Sequence, residues 1–173
     1  MTLNLSNSLI CAFKRNFPST KTFRLNKNIY SDFNIDLSDS ISVGVRVFIP
    51  SNFFNTTPRV KVIDLKKNNW IRTFPDWHVY DGKEMSVKGE LCYVLPLAWK
   101  EKMQECTEAE GSTIKGIADF AVKIIERDCR YLLSVHWNNR YNSSNKWPKE
   151  ESEWLHGEEG VKQWKKEREN KKQ

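Results

Sequence analysis

Cys92 is the residue in this chain whose type and surroundings best suit covalent chemistry. It follows Gly89, Glu90 and Leu91 and precedes Tyr93, Val94, Leu95 and Pro96, so a glycine turn and a proline hold its backbone. Such a setting presents a thiol on a loop. A structural cysteine more often packs as a small hydrophobe inside an alternating strand or on a helix face. His78 lies upstream in the same stretch, residues 75–99, beside Asp76, Asp81 and Gly82. Polar groups near a thiol raise its thiolate fraction or handle the proton of an attacking amine, which makes Cys92, His78 and Asp81 the candidate catalytic set. A surface loop with an incidental cysteine is the alternative reading of these residues.

The other chemistry-bearing side chains have plainer explanations. Cys11, Cys106 and Cys129 stand apart from Cys92 with no CxxC pair, so neither a zinc module nor a disulfide framework is expected and reduced thiols are the default. Cys11 and Cys129 fall in helical patterns and should be inert. His136 reads as a helix-end residue and His156, beside Gly157, as a helix stop. Three histidines without clustered carboxylates or thiols make no metal site, and no motif calls for a cofactor.

The elements that must position the cysteine are legible from periodicity. Leu5, Leu9, Phe13 and Phe17 recur every fourth residue, which predicts a helix capped by Ser6 and ended by Pro18. Strands follow around Phe23 and Leu25, then Phe33, Ile35 and Leu37, with a turn region between them. The clearest strand spans 41–49, where Ile41, Val43, Val45, Val47 and Ile49 share one face. Another is expected over 59–65, after Pro58. Short connections favour a four-stranded antiparallel meander with one face wet and the other covered by helices. Beyond Gly111 and Ser112, a plausible helix start, Ile114, Ile117, Ala118, Ala121, Ile124, Ile125 and Leu132 predict a long amphipathic helix running toward His136. The fold class is therefore α+β. We divide the chain into a core over 1–136 and a Trp-rich helical extension with a charged tail over 137–173, where Trp137, Trp147, Trp154 and Trp164 pack onto the core or form a protein-binding surface.

Composition narrows the partners. The 173 residues suit one domain with a real core, and no apolar run approaches the roughly 20 residues that cross a bilayer. Neither a signal peptide nor a membrane association is indicated, so a cytoplasmic location is expected. The net charge of +6 owes much to the end of the chain, where residues 162–173 carry six basic side chains and two acidic ones, and residues 146–160 hold five glutamates against two lysines. A mixed terminal run of this kind is usually a solvated helix end, which argues against nucleic acid as the partner.

The link between the last two predicted strands brings a family into view. Pro50 closes one strand, Phe53 follows three residues later, and Pro58 stands eight residues after Pro50 at the start of the next strand. With Gly89 shortly before Cys92 and Trp99 shortly after it, this pattern resembles ubiquitin-conjugating (E2) enzymes over residues 2–135. The resemblance implies a UBC-like fold: an N-terminal helix, the four-stranded meander, an active-site cysteine loop and a long C-terminal helix with a helical extension. The chain departs from the family where a His-Pro-Asn motif is expected, since Val79 and Tyr80 follow His78 and fourteen residues separate His78 from Cys92. His78, Asp81 and backbone N–H groups near Gly89 are the candidates for the missing asparagine's role. Trp147 and Pro148, then His156 and Gly157, are similar to segments of bacterial E2-like proteins of antiphage CBASS operons.

What the resemblance implies is acyl transfer. Cys92 would hold the C-terminal carboxyl of a partner protein, a cGAS-like nucleotidyltransferase, as a thioester and pass it to a target protein. The chain has no glycine-rich nucleotide loop of an activating enzyme, so the donor would arrive already activated or the chain would work by another route. Self-association into a homodimer is left open. The competing class is an inactive E2-like scaffold that binds a partner's C-terminal tail beside Cys92.

Overall fold

The computed structural model describes residues 4–63, 67, 79–80 and 89–141, with side chains for all of these except 79–80 and 135–141. The first element is helix α1 (Leu5–Asn16), whose Leu9 and Phe13 are wholly buried. Its cap is Asn4 and not Ser6: the Asn4 side-chain oxygen accepts from the Asn7 amide at 3.0 Å, and the Ser6 hydroxyl donates to that same oxygen at 2.7 Å. A short side chain at the N-cap satisfies an amide that the helix leaves unbonded. The helix stops at Phe17, which precedes Pro18 and has left the helical region at φ −133°, ψ 83°.

Strands β1 (Lys21–Leu25) and β2 (Asn28–Asp36) form a hairpin whose register pairs Leu25 with Asn28. Only Asn26 and Lys27 remain for the turn, and Asn26 takes φ 57°, a left-handed conformation asparagine tolerates better than most residues. The broad turn region expected before Phe33 is therefore strand instead. Its polar residues fit a strand because they alternate: Tyr30 and Asp32 face outward, while inward-facing Ser31 is buried and bonded to the Thr22 hydroxyl at 3.0 Å.

β3 (Ser42–Ile49) buries Val43, Val45, Val47 and Ile49, the alternating face expected of it. β4 (Val60–Val62) falls within the strand expected over 59–65, with Arg59 and Ile63 already outside it. These four strands form the antiparallel meander, and two further short strands widen it. β6 (Glu90–Leu91) pairs with β4, and β5 (Val79–Tyr80) pairs with β6, for the order β1-β2-β3-β4-β6-β5. Two-residue strands carry no periodicity and exist through their pairing, so the stretch 75–99 read as one loop is partly sheet.

The chain then enters α2 (Pro96–Glu108), a helix absent from the expected order of elements. Pro96 occupies its first turn, where no amide is needed, and Trp99 and Met103 bury the inner face. Gly111, at φ 75°, separates it from α3 (Ile114–Tyr141). The expected start at Gly111 and Ser112 moves to Thr113, whose hydroxyl accepts from the Gly116 amide at 3.0 Å. α3 continues past His136, which was expected at a helix end. The expected extension beyond Tyr141, with Trp147, Trp154, Trp164 and His156, lies outside the described residues.

α1 and α3 pack against each other and on one face of the sheet, α1 against β3 and α3 against β2. The core fills that layer, with Phe33 stacked on Phe17 at 5.1 Å and tilted against Phe13 at 5.5 Å. Arg15 and Asn16 of α1 both donate to Asp119 of α3, at 2.8 and 2.9 Å, tying the two helices. The architecture is α+β. Among the described residues no helix is long and apolar enough to cross a membrane.

Candidate active site

Cys92 leaves β6 at the point where the sheet hands over to α2, and its neighbours decide its character. Glu90, Leu91, Tyr93 and Val94 are exposed by only 6%, 3%, 2% and 5%, yet Cys92 between them retains access to solvent. A segment anchored on both sides thus leaves one half-buried residue among sealed neighbours, and that residue carries a thiol; Cys11 and Cys106 are half-buried as well.

Four tethers hold the segment. The Gly89 carbonyl accepts from the Val62 amide at 3.0 Å, with Gly89 at φ 84°, a conformation that favours glycine. Arg59 grips Glu90 with both nitrogens of its fork, Nε to Oε1 at 2.6 Å and a terminal nitrogen to Oε2 at 2.8 Å. Tyr93 donates its hydroxyl to the Pro58 carbonyl at 2.6 Å, and Trp99 donates its indole N–H to the Phe53 carbonyl at 2.6 Å. The last two tethers fasten the cysteine segment to the proline-flanked link between β3 and β4. Buried donors must find acceptors, so these bonds fix geometry as well as energy.

A buried polar group lies behind the segment. Asp128 of α3 is 1% exposed and accepts from the Arg127 guanidinium at 2.9 Å. Burial pushes the Tyr93 hydroxyl well up, and the neighbouring Cys129, Asp128 and Cys92 add to the rise. Cys129 has no exposure, and burial drives its thiol upward, with Asp128 and Glu126 reinforcing the shift. Burial also raises the Cys106 thiol on α2. A thiol held neutral and sealed from reagents is a poor nucleophile, which separates Cys129 from Cys92.

Of the expected site residues, Cys92 is placed by the structure, whereas His78 and Asp81 lie outside the described residues. Sequence reasoning missed Tyr93, the Arg59–Glu90 pair and Asp128. Asp128 had a signal, because it interrupts the apolar stripe of Ile124, Ile125, Cys129 and Leu132 with a carboxylate. Arg59 and Glu90 had none, since they are 31 positions apart and meet only through the pairing of β4 with β6. Among the described residues no group of three or more histidines, cysteines or carboxylates could hold a metal ion. No family model, no curated protein and no solved structure matches this chain.

Proposed function

We propose that this chain is a ubiquitin-conjugating-like (E2-like) cysteine acyltransferase with a UBC-like fold. The observation that carries the reading is the access of Cys92 to solvent within a run whose other members are buried. The order of N-terminal helix, meander, cysteine segment and helices supports it, as do the bonds from Tyr93 and Trp99 to Pro58 and Phe53.

In the proposed reaction the Cys92 thiolate attacks the activated C-terminal carbonyl of a donor protein. The tetrahedral intermediate collapses, expels the activating group, and leaves the donor as a thioester on Cys92. An acceptor amine then attacks that thioester, loses a proton, and departs as an amide while the thiolate is regenerated. His78 and Asp81 are the proposed handlers of that proton, and backbone N–H groups near Gly89 the proposed stabilisers of the oxyanion. By resemblance the donor is a cGAS-like nucleotidyltransferase, the acceptor a target protein, and the setting antiphage defence in the bacterial cytoplasm.

The test is intact-mass analysis after the full chain is incubated with its neighbouring operon proteins and ATP. A hydroxylamine-sensitive adduct on Cys92, converted to a stable oxyester by Cys92→Ser and lost in Cys92→Ala, is the expected result. Conjugates and phage protection that survive Cys92→Ala would leave no room for the enzyme and would favour a scaffold.

A further inference from the structure

The outer face of the sheet, opposite α1 and α3, carries a row of side chains that take no chemical step in the proposed acyl transfer, although its Arg59–Glu90 pair also tethers the cysteine segment. Strand register sets them side by side: Asp32 lies opposite Arg46, Arg46 opposite Lys61, and Lys61 opposite Glu90. Asp32 accepts both ends of the Arg46 fork at 2.9 Å, and Glu90 accepts both ends of the Arg59 fork. Lys61 makes no ion pair among the described residues. It is left directly across from Arg46, and like charges in directly opposed positions of a sheet repel. One positive charge is therefore in surplus.

A cavity of about 310 Å³ opens at that spot, near the lower limit of the roughly 300–1,000 Å³ that small-molecule sites occupy. Its lining divides by chemistry. Arg46, Arg59 and Lys61 supply three cations against the single carboxylate of Glu90, while Tyr30 and Phe48, packed edge to face at 5.8 Å, supply aromatic walls. The hairpin end bounds it through Leu25 and Asn28. Arg46 and Arg59 are held rigid by their carboxylates, so they present fixed N–H edges to an arriving anion.

We infer that this cavity is a binding site for a mononucleotide-sized anion, whose phosphate meets Lys61 and the two arginines and whose planar base lies against Tyr30 or Phe48. Phosphate groups suit guanidinium and ammonium donors, and aromatic side chains accept any base by stacking. The lining is compact and bounded by a hairpin turn, which suits a small ligand better than an extended chain. The inference stands apart from the chemistry of Cys92, and its test needs no acyl donor.

Calorimetry on the full chain at low salt, with AMP, GMP, CMP and UMP in turn, reads the site directly. At least one mononucleotide should bind, and its nucleoside and inorganic phosphate should each bind about tenfold more weakly or worse, because each engages half of the lining. Lys61→Gln should weaken binding by about tenfold or more, and Tyr30→Leu should weaken the mononucleotide without weakening phosphate. As a second readout on the unaltered chain, the bound mononucleotide should protect Lys61 from acetic anhydride while leaving Lys14 and Lys21 reactive. No heat with any mononucleotide at roughly 5 mM overturns the inference. So does a Lys61→Gln variant that binds as tightly as the parent, phosphate alone binding equally well, or acetylation of Lys61 unaffected by the ligand.

Discussion

The two faces of β3 teach different lessons, although the same eight residues build both. Inward, Val43, Val45, Val47 and Ile49 join the apolar core that also takes in residues of α1 and α3, and shape alone is at stake. Outward, Arg46 and Phe48 meet Asp32, Tyr30 and the Phe23 ring, over which the Arg46 guanidinium lies at 4.6 Å. The inner face is insensitive to charge because it holds almost none. The outer face balances charges pair by pair, and one lysine exceeds the count. The inner face thus supplies stability, and the outer face has chemistry to spare for a ligand.

That contrast can be broken by matched substitutions. Phe13→Ala, in the inner layer, should cost about 3–5 kcal/mol in urea denaturation, while Phe48→Ala on the outer face should cost about 1 kcal/mol. Equal losses would erase the difference between the faces.

Arg59→Ala should cost about 1–3 kcal/mol, because it leaves the buried Glu90 carboxylate without its fork; the side chain of Arg59 is 45% exposed, which discounts the upper end. Arg59→Ala should also loosen the cysteine segment, seen as faster exchange of the amides around Cys92.

Alkaline pH probes the layer behind the cysteine. Burial holds Cys129 well above its ordinary value of 9.0 and Tyr93 well above 10.0. Folded, both keep their protons; unfolded, both lose them once pH passes those ordinary values. Stability is therefore full below about pH 9 and falls as pH rises above it, by up to about 1.4 kcal/mol per pH unit for each group. Cys129→Ala should flatten the first part of that decline. In the folded chain at neutral pH, iodoacetamide should label Cys92 and spare Cys129 until the protein unfolds.

The smallest contrast is at the first helix. Asn4→Ala should cost about 1 kcal/mol through the lost cap, and Ser6→Ala only a few tenths.

How much of this was legible beforehand depends on the length over which a signal repeats. The stripe of Leu5, Leu9 and Phe13 and the alternation from Val43 to Ile49 run over several turns or pleats, and both elements formed where periodicity put them. β2 was read too short, because Tyr30, Ser31 and Asp32 look like a turn by type yet alternate correctly as a strand. α2 was invisible since its inner face shows little beyond Trp99 and Met103. The choice between Asn4 and Ser6 turned on a single bond of 3.0 Å, which residue types cannot distinguish.

By itself the sequence determined the alternating and helical faces that become the core, the glycine and proline that bracket Cys92, and the surplus of positive charge. Those are properties of residue type and local spacing. Tertiary structure alone decided that Cys92 is only half-buried while its neighbours are sealed, that Tyr93 and Trp99 reach back to Pro58 and Phe53, and that Lys61 is set against Arg46. The reason is physical: exposure, hydrogen-bond partners and cross-strand neighbours depend on which distant segments pair, and that pairing comes from burying the whole inner layer at once.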